Sequence, residues 1–219
     1  MSFLKATHSR RSIRSLQASS PVPDTAIAGL AERAILDVPS AFNSQTARLT
    51  VLFGADHNKL WSIATQVFHG RLGDERFRAR SDGRPSFEEK LAGYAGAYGT
   101  VLFWDDMAVV EELKESSPDI YQDKIEEWAH QSSGMHQYYL WTALEAMGLG
   151  ANLQHYNPLI DGEVKRTWGV SESWALRAQM VFGTPVEGVE VGEKLQRLPV
   201  MERVKVFGSG GEPRDTDGL

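Results

Sequence analysis

Residues 118 to 158 limit the folds open to this chain more than any other stretch. The segment opens with Ser117-Pro118-Asp119, a helix start with a capping hydroxyl, a proline suited to the first helical position and a carboxylate near the positive end. It closes at Gly148, where a residue without Cβ can take the left-handed conformation that ends a helix. From Ala129 to Leu149 the only formally charged side chain is Glu145, and Met135, Tyr139, Leu140, Trp141, Ala143, Leu144, Ala146 and Met147 spread over several faces. A helix apolar nearly all round is a buried one. His130, Gln131, His136 and Gln137 argue against a membrane span, which needs roughly 20 mostly apolar residues. The pattern predicts a central helix, with Ser132-Ser133-Gly134 as the place for a bend, either sandwiched between layers or set at a subunit interface. Gly148-Leu149-Gly150 then turns the chain into a short strand over residues 151–156.

The remaining elements fall around that helix. Residues 2–9 read as a short helix capped by Ser2. Residues 21–39 form a helical unit with Asp24 as cap and Ala26, Ile27, Leu30, Ala31, Ala34 and Ile35 at helical spacing. Leu49 to Phe53 and Tyr98 to Trp104 are continuous apolar runs, as in strands buried on both faces. Asp56 starts a helix reaching about Leu72. Residues 70–84 carry five arginines and three acids among glycines and read as a charged loop, either a lid or a solvated excursion. Ser86 with Glu89 makes a capping box for a helix to Ala95. Short helices over 107–115 and 161–168 and a strand over 173–182 complete the order. The segment Val204-Val206-Phe207 could add a strand to a sheet, its own or a partner's. This succession is an α+β layout, helices around a small mixed or antiparallel sheet. Residues 1–208 read as a single domain with a C-terminal extension, and 209–219 as a flexible tail.

The absence of cysteine removes disulfides, thiolate chemistry and cysteine metal sites. A net charge of -6 disfavours nucleic acid as the main partner, because phosphate-backbone binding needs a basic face. No apolar run follows the first residues, so the chain is assigned to the cytoplasm by default. His130 and His136 are not spaced to share a helix face, there is no HExxH, and no metal site is expected. No nucleophile elbow, Walker loop or GxGxxG after a strand occurs. The acidic pairs Glu88-Glu89, Asp105-Asp106, Glu111-Glu112 and Glu126-Glu127 are adjacent, and adjacent residues on a helix point apart.

Two clusters remain. Arg10-Arg11-Ser12-Ile13-Arg14 packs arginine forks and a hydroxyl into an anion-sized cradle; a solvated basic turn is the plain alternative. Pro39-Ser40-Ala41-Phe42-Asn43-Ser44-Gln45 is a loop of amides and hydroxyls suited to the polar edge of a ligand, or else ordinary turn chemistry. With a phosphate-sized cradle, a polar loop, a glycine turn and no evident acid, base or nucleophile, the chain fits a protein whose cofactor carries the reaction. It also fits a non-catalytic binder of a phosphate ligand, or a helical protein that serves only in interaction.

These motifs resemble a known family. The RRSIR run, the PSAFNSQ loop and the GLG turn, in this order and spacing, resemble the nitroreductase family of flavoproteins. GLGANLQHYNP from Gly148 to Pro158, with Glu202-Arg203-Val204-Lys205-Val206-Phe207-Gly208, is most similar to the fungal Frm2-like branch and its bacterial relatives. The resemblance implies an intertwined homodimer with two FMN sites between the subunits, reducing nitroaromatic, quinone or similar electron-poor acceptors with NAD(P)H by ping-pong hydride transfer. It implies no catalytic side chain, since the flavin carries the chemistry.

By that resemblance Arg10, Arg11, Ser12 and Arg14 bind the FMN phosphate, completed by Lys194 or Arg197, and Lys90 reaches the ribityl or pyrimidine end. Ala151, Asn152, Leu153 and Gln154 run along the isoalloxazine ring. Asn43, Ser44 and Gln45 reach the flavin of the other subunit's site. Phe42, Trp128, Tyr138 and His155 are the candidate pocket walls. The chain departs from the family pattern at Thr46-Ala47, where many members have Pro-Trp, and at Leu195-Gln196-Arg197, where many have a basic-x-Arg pair.

Overall fold

The fold, a computed structural model, describes residues 2–81, 83–189 and 192–208. Its centre is an antiparallel sheet in the order β1-β5-β3-β2, with β4 also pairing β5. The strands are β1 (Leu16–Gln17), β2 (Ala47–Phe53), β3 (Gly99–Asp106), β4 (Gly150–Gln154) and β5 (Trp174–Pro185). The long β5 pairs β3 along one edge, and β4 and then β1 along the other. The apolar run of β3 is buried along nearly its whole length. Its side chains alternate, as a strand requires: Leu102 and Trp104 enter one core cluster, and Val101 and Phe103 the other. Gly99 is where β3 crosses closest to its neighbours; a Cβ there would sit 2.9 Å from the Leu52 carbonyl oxygen and collide with the Phe182 ring.

Helices cover both faces. They are α1 (Phe3–Ser9), α2 (Asp24–Asp37), α3 (Gly54–Arg78), α4 (Phe87–Ala95), α5 (Met107–Ser116), α6 (Asp119–Ala146), α7 (Asp161–Trp168) and α8 (Val200–Arg203). Residues of α3, α4 and α7 build one core cluster, with Trp61, Leu91 and Val164. Residues of α2 and α6 build the opposite one, with Ile27, Leu140 and Leu144. The capping box at α4 forms as anticipated, Ser86 Oγ accepting from Glu89 N and Glu89 Oε2 accepting from Ser86 N. Pairing between β3 and β5 shifts register between Phe103 and Trp104. This bulge leaves Arg177 without a partner residue and, as bulges do, re-aims it, here to Asp105.

Several expectations are corrected. The region 70–84 is helical as far as Arg78, with a break at Gly73 (φ 76°, ψ 162°). Phe77, only 2 % exposed, anchors this second half in the core. The helix α6 runs unbroken past Ser132-Ser133-Gly134 with Pro118 as its N-cap, while Ser117 caps the end of α5 instead. Nor is α6 buried all round within one chain. Its inner face is partly polar, with Ser132, Ser133, His136 and Thr142, whereas Met135 and Tyr138 are each 42 % exposed. Three of these groups are satisfied along the helix: His136 Nδ1 lies 2.8 Å from the Ser132 carbonyl oxygen, Ser132 Oγ donates to the Trp128 carbonyl at 3.0 Å, and Ser133 Oγ accepts from Gln137 Nε2 at 3.2 Å; the Thr142 hydroxyl is buried with no partner among the described residues. Asp24 is the first residue of α2 rather than its cap, and accepts a hydrogen bond from the Tyr98 hydroxyl. Among the described residues, no helix is long and apolar enough to cross a membrane.

The chain divides into two units at Val189 and Glu190. Everything above except α8 belongs to the first. In the second, the described residues are irregular apart from α8, and 204–207 form no strand. The tail expected over 209–219 lies outside the described residues.

Candidate functional site

The arginine run and the glycine turn, far apart in sequence, lie side by side. Ser2 caps α1 as anticipated, and the Arg10 N–H closes the helix on the Ala6 carbonyl at 2.9 Å. The chain then extends along β4. Ser12 bridges Ala151, Ile13 N–H donates to the Ala151 carbonyl at 2.9 Å, and Asn152 Nδ2 donates to the Ile13 carbonyl at 2.7 Å. Gly150 permits this approach: a Cβ would press to 2.9 Å from Ile13 Cβ and 3.0 Å from Leu16 Cδ2.

The four cradle residues have different standings. Arg10 is half-buried, its guanidinium 4.4 Å from the centroid of the Trp141 ring, and its Nε is buried with no hydrogen-bond partner among the described residues. Arg11 commits Nη1 to the carbonyls of His8, Ser9 and Arg10 at 2.8–3.1 Å, where it also meets the negative end of α1. Ser12 and Arg14 are exposed. Burial pushes the Tyr94 phenol up from its ordinary value, while the charge of Arg14 and a hydrogen bond with Tyr156 pull it down. Lys90 lies one helical turn before Tyr94 on the same face of α4, with Nζ 5.2 Å from the Phe87 ring. Arg10, Ser12, Arg14 and β4 are thus brought together, with Lys90 on the neighbouring helix.

Along β4 the carbonyl of Ala151 faces the arginine segment, so by strand alternation the N–H of Leu153 points along the same open edge. The side chain of Asn152 is spent inside the protein. It is 1 % exposed, donates to Ile13 and accepts from Gln154 Nε2 at 2.7 Å.

The second cluster is the turn Ala41–Asn43 with its flanks. Phe42, Asn43 and Gln45 all have positive φ, at 55°, 53° and 50°, a conformation non-glycine residues adopt at a cost and which concentrates at functional sites. Side chains hold it: Ser40 Oγ accepts from Gln45 N at 3.0 Å, Asn43 Oδ1 accepts from Gln45 Nε2 at 3.1 Å, and Arg48 Nη1 donates to the Gln45 carbonyl at 2.6 Å. Phe42, 63 % exposed, packs against Trp128 at 5.5 Å and Tyr121 at 6.1 Å between ring centroids. Tyr121 was missed by sequence reasoning, although its seven-residue spacing from Trp128 puts both on one face of a helix. Tyr138 and His155 do not join this aromatic group: Tyr138 is exposed further along α6, and His155 is exposed just past β4.

The two clusters meet the same helix at different places. The polar loop packs on Trp128, and Arg10 packs on Trp141. At 1.5 Å per residue these tryptophans stand about 20 Å apart along α6. Lys194 and Arg197 belong to the second unit.

The family model described as "Nitroreductase family" matches residues 7–184, a span holding both clusters and all of the sheet but the last residue of β5. The chain belongs to the nitroreductase family. As a nitroreductase-family protein it is an oxidoreductase. It is 36 % identical over 185 residues to the Saccharomyces cerevisiae protein HBN1, covering 84 % of this chain and 88 % of that one. Nitroreductase FRM2 of the same yeast is 30 % identical with the same coverage, which supports kinship with the Frm2-like branch. The structure of nitroreductase CinD from Lactococcus lactis in complex with nicotinic acid superposes with a TM-score of 0.80 at 38 % identity, over 94 % of this chain and 99 % of that one. The nitroreductase family sets the fold just described, helices around an antiparallel sheet.

Proposed function

We propose that the chain is an FMN-dependent NAD(P)H oxidoreductase that works as a homodimer and reduces nitroaromatic, quinone or similar electron-poor acceptors. The observation that carries this reading is the meeting of the arginine run with β4 across Gly150, beside an arginine whose Nε lacks a partner. Such a cradle fits a phosphate, and the open edge of β4 offers a backbone donor, at Leu153, for an adjoining ring. Arg10, Ser12 and Arg14 hold the phosphate, and Lys90 meets the ribityl or pyrimidine end. The chemistry supplied by bound FMN is acceptance of a hydride from NAD(P)H and its delivery to the acceptor.

The separation of the two clusters along α6 supports the dimer. In a single chain the polar loop meets α6 at Trp128 and Arg10 meets it at Trp141, about 20 Å apart along the helix, so Asn43, Ser44 and Gln45 serve the partner's flavin. Phe42 and Trp128, with Tyr121, wall the space in which the nicotinamide and the acceptor take turns. CinD has also been solved with 4-nitrophenol, at 39 % identity to this chain, which supports a nitroaromatic acceptor here.

The test is an absorbance spectrum before and after incubation with FMN, followed by NAD(P)H oxidation with and without 4-nitrophenol or a quinone. Flavin near one per subunit and acceptor-dependent oxidation are expected. A protein that stays colourless overturns the cofactor; stoichiometric flavin with no oxidation by any acceptor overturns the enzyme reading.

A further inference from the structure

Trp141 touches Arg10 at the start of the arginine run and the β4 carbonyl to which Ile13 bonds. Its ring face lies against the Arg10 guanidinium, 4.4 Å from the centroid. Its Nε1–H donates to the Ala151 carbonyl at 3.2 Å. That carbonyl also receives the Ile13 N–H, the bond that lays Ser12 and Ile13 along β4. The indole itself is half-buried and rests on the core cluster of α2, α6 and the sheet, so it is held in place from behind.

An arginine on an open surface must give up rotamer freedom when it captures an anion. Stacking on an aromatic face restricts it beforehand, and indole is the strongest such face. The stacked Arg10 keeps an unpartnered Nε donor, so the contact restrains the side chain without using its hydrogen-bonding capacity.

We infer that Trp141 is a positioning residue for phosphate recognition, presetting Arg10 and the 12–14 segment for the phosphate of FMN. The inference rests on the reading that Arg10 binds that phosphate. Its signature is selectivity: loss of Trp141 should weaken FMN and leave riboflavin, the same ring system without the phosphate, little affected. A residue with only a structural role would weaken both alike.

The experiment titrates the full chain, stripped of flavin, with FMN and with riboflavin, following flavin fluorescence. Trp141→Leu should weaken FMN roughly tenfold, between the scale of an exposed and that of a desolvated cation–π contact, and riboflavin by less than about twofold. Trp141→Phe, which keeps a ring face and loses the Nε1 donor, should fall between. In an Arg10→Ala background Trp141→Leu should cost little more, because coupled residues are not additive. Equal loss of both flavins, no loss of FMN, or full additivity with Arg10→Ala overturns the inference. If Trp141→Leu does not fold, Trp141→Phe decides by the same FMN-to-riboflavin comparison. An Arg10→Ala change that leaves that ratio untouched overturns the phosphate reading as well; a selective Arg10→Ala effect without a Trp141 effect overturns this inference alone.

Discussion

Arg177 Nε donates to Asp105 Oδ2 at 2.8 Å, and the other oxygen of that carboxylate is buried with no hydrogen-bond partner among the described residues. Burial holds the Asp105 carboxyl above its ordinary value, against the pull of Arg177, His130 and His136. A folded-state value above the unfolded one means that the native chain keeps this proton longer than the unfolded chain does. The group's stabilising contribution is therefore full below the unfolded value near 4 and is lost as pH rises through the folded value. Urea denaturation across a pH series should show this loss, and Asp105→Asn should remove that component of the slope above pH ~4. An unchanged slope in the variant would place the titration elsewhere.

Phe42 sits at φ 55°, ψ 20°, and its ring packs on Tyr121 and Trp128. The left-handed region costs a side-chain-bearing residue about 1–2 kcal/mol and glycine almost nothing. Phe42→Gly and Phe42→Ala both delete the ring, but only alanine keeps the strain. The glycine variant should be more stable by about 1 kcal/mol in denaturant titrations. Both should raise the KM for an aromatic acceptor several-fold while retaining flavin. Equal stabilities would mean that the loop holds Phe42 there at no backbone cost.

How far the sequence reached is clearest at particular residues. The ends of α6 were legible because Pro118 and Gly148 punctuate the chain locally, and β3 because an unbroken apolar run has few other uses. The second half of α3 was not legible: Gly70 to Arg84 is polar nearly throughout, and the one anchor, Phe77, counts only once the core exists. The strand β1 was missed because its two residues pair only where β5 continues to Pro185. The exposed Met135 was read as buried, and the exposed Tyr138 as a pocket wall, because composition cannot tell a face turned to the core from one turned outward. At the site, residue types singled out the arginine run and the polar loop, and the structure lays the first along β4. Nothing local to Asn152 could reveal that its amide would bond across to Ile13.

That amide carries its own prediction. Asn152 links the Gln154 side chain to the Ile13 carbonyl in a buried chain of two 2.7 Å bonds. Asn152→Ala strands both partners and should cost about 1–3 kcal/mol of stability. Asn152→Asp can still accept from Gln154 but cannot donate to Ile13, and it sets a negative charge beside the cradle. FMN affinity should fall further in the aspartate variant than in the alanine one. Wild-type affinity and stability in both would show that the bond to Ile13 does not hold the segment.

Met135 and Tyr138 share the outward face of α6 with Gln131, and exposed apolar side chains continue onto the helices packed against it: Ile35 and Leu36 of α2, Phe3 and Leu4 of α1. An apolar surface spread over adjoining helices marks an interaction site, and a second copy of the chain is the proposed occupant. Tyr138→Arg places a charge in the middle of that face, where a close-packed contact would have to bury it unpaired. Light scattering after size exclusion should find the wild type dimeric and the variant shifted to monomer. The variant should also lose acceptor turnover out of proportion to flavin binding. Its cradle stays whole within one chain, whereas the Asn43–Gln45 loop and the aromatic wall, about 20 Å away along α6, reach a flavin only across the dimer. A monomeric wild type would overturn the interface altogether, and a Tyr138→Arg dimer of undiminished stability would move it to another face.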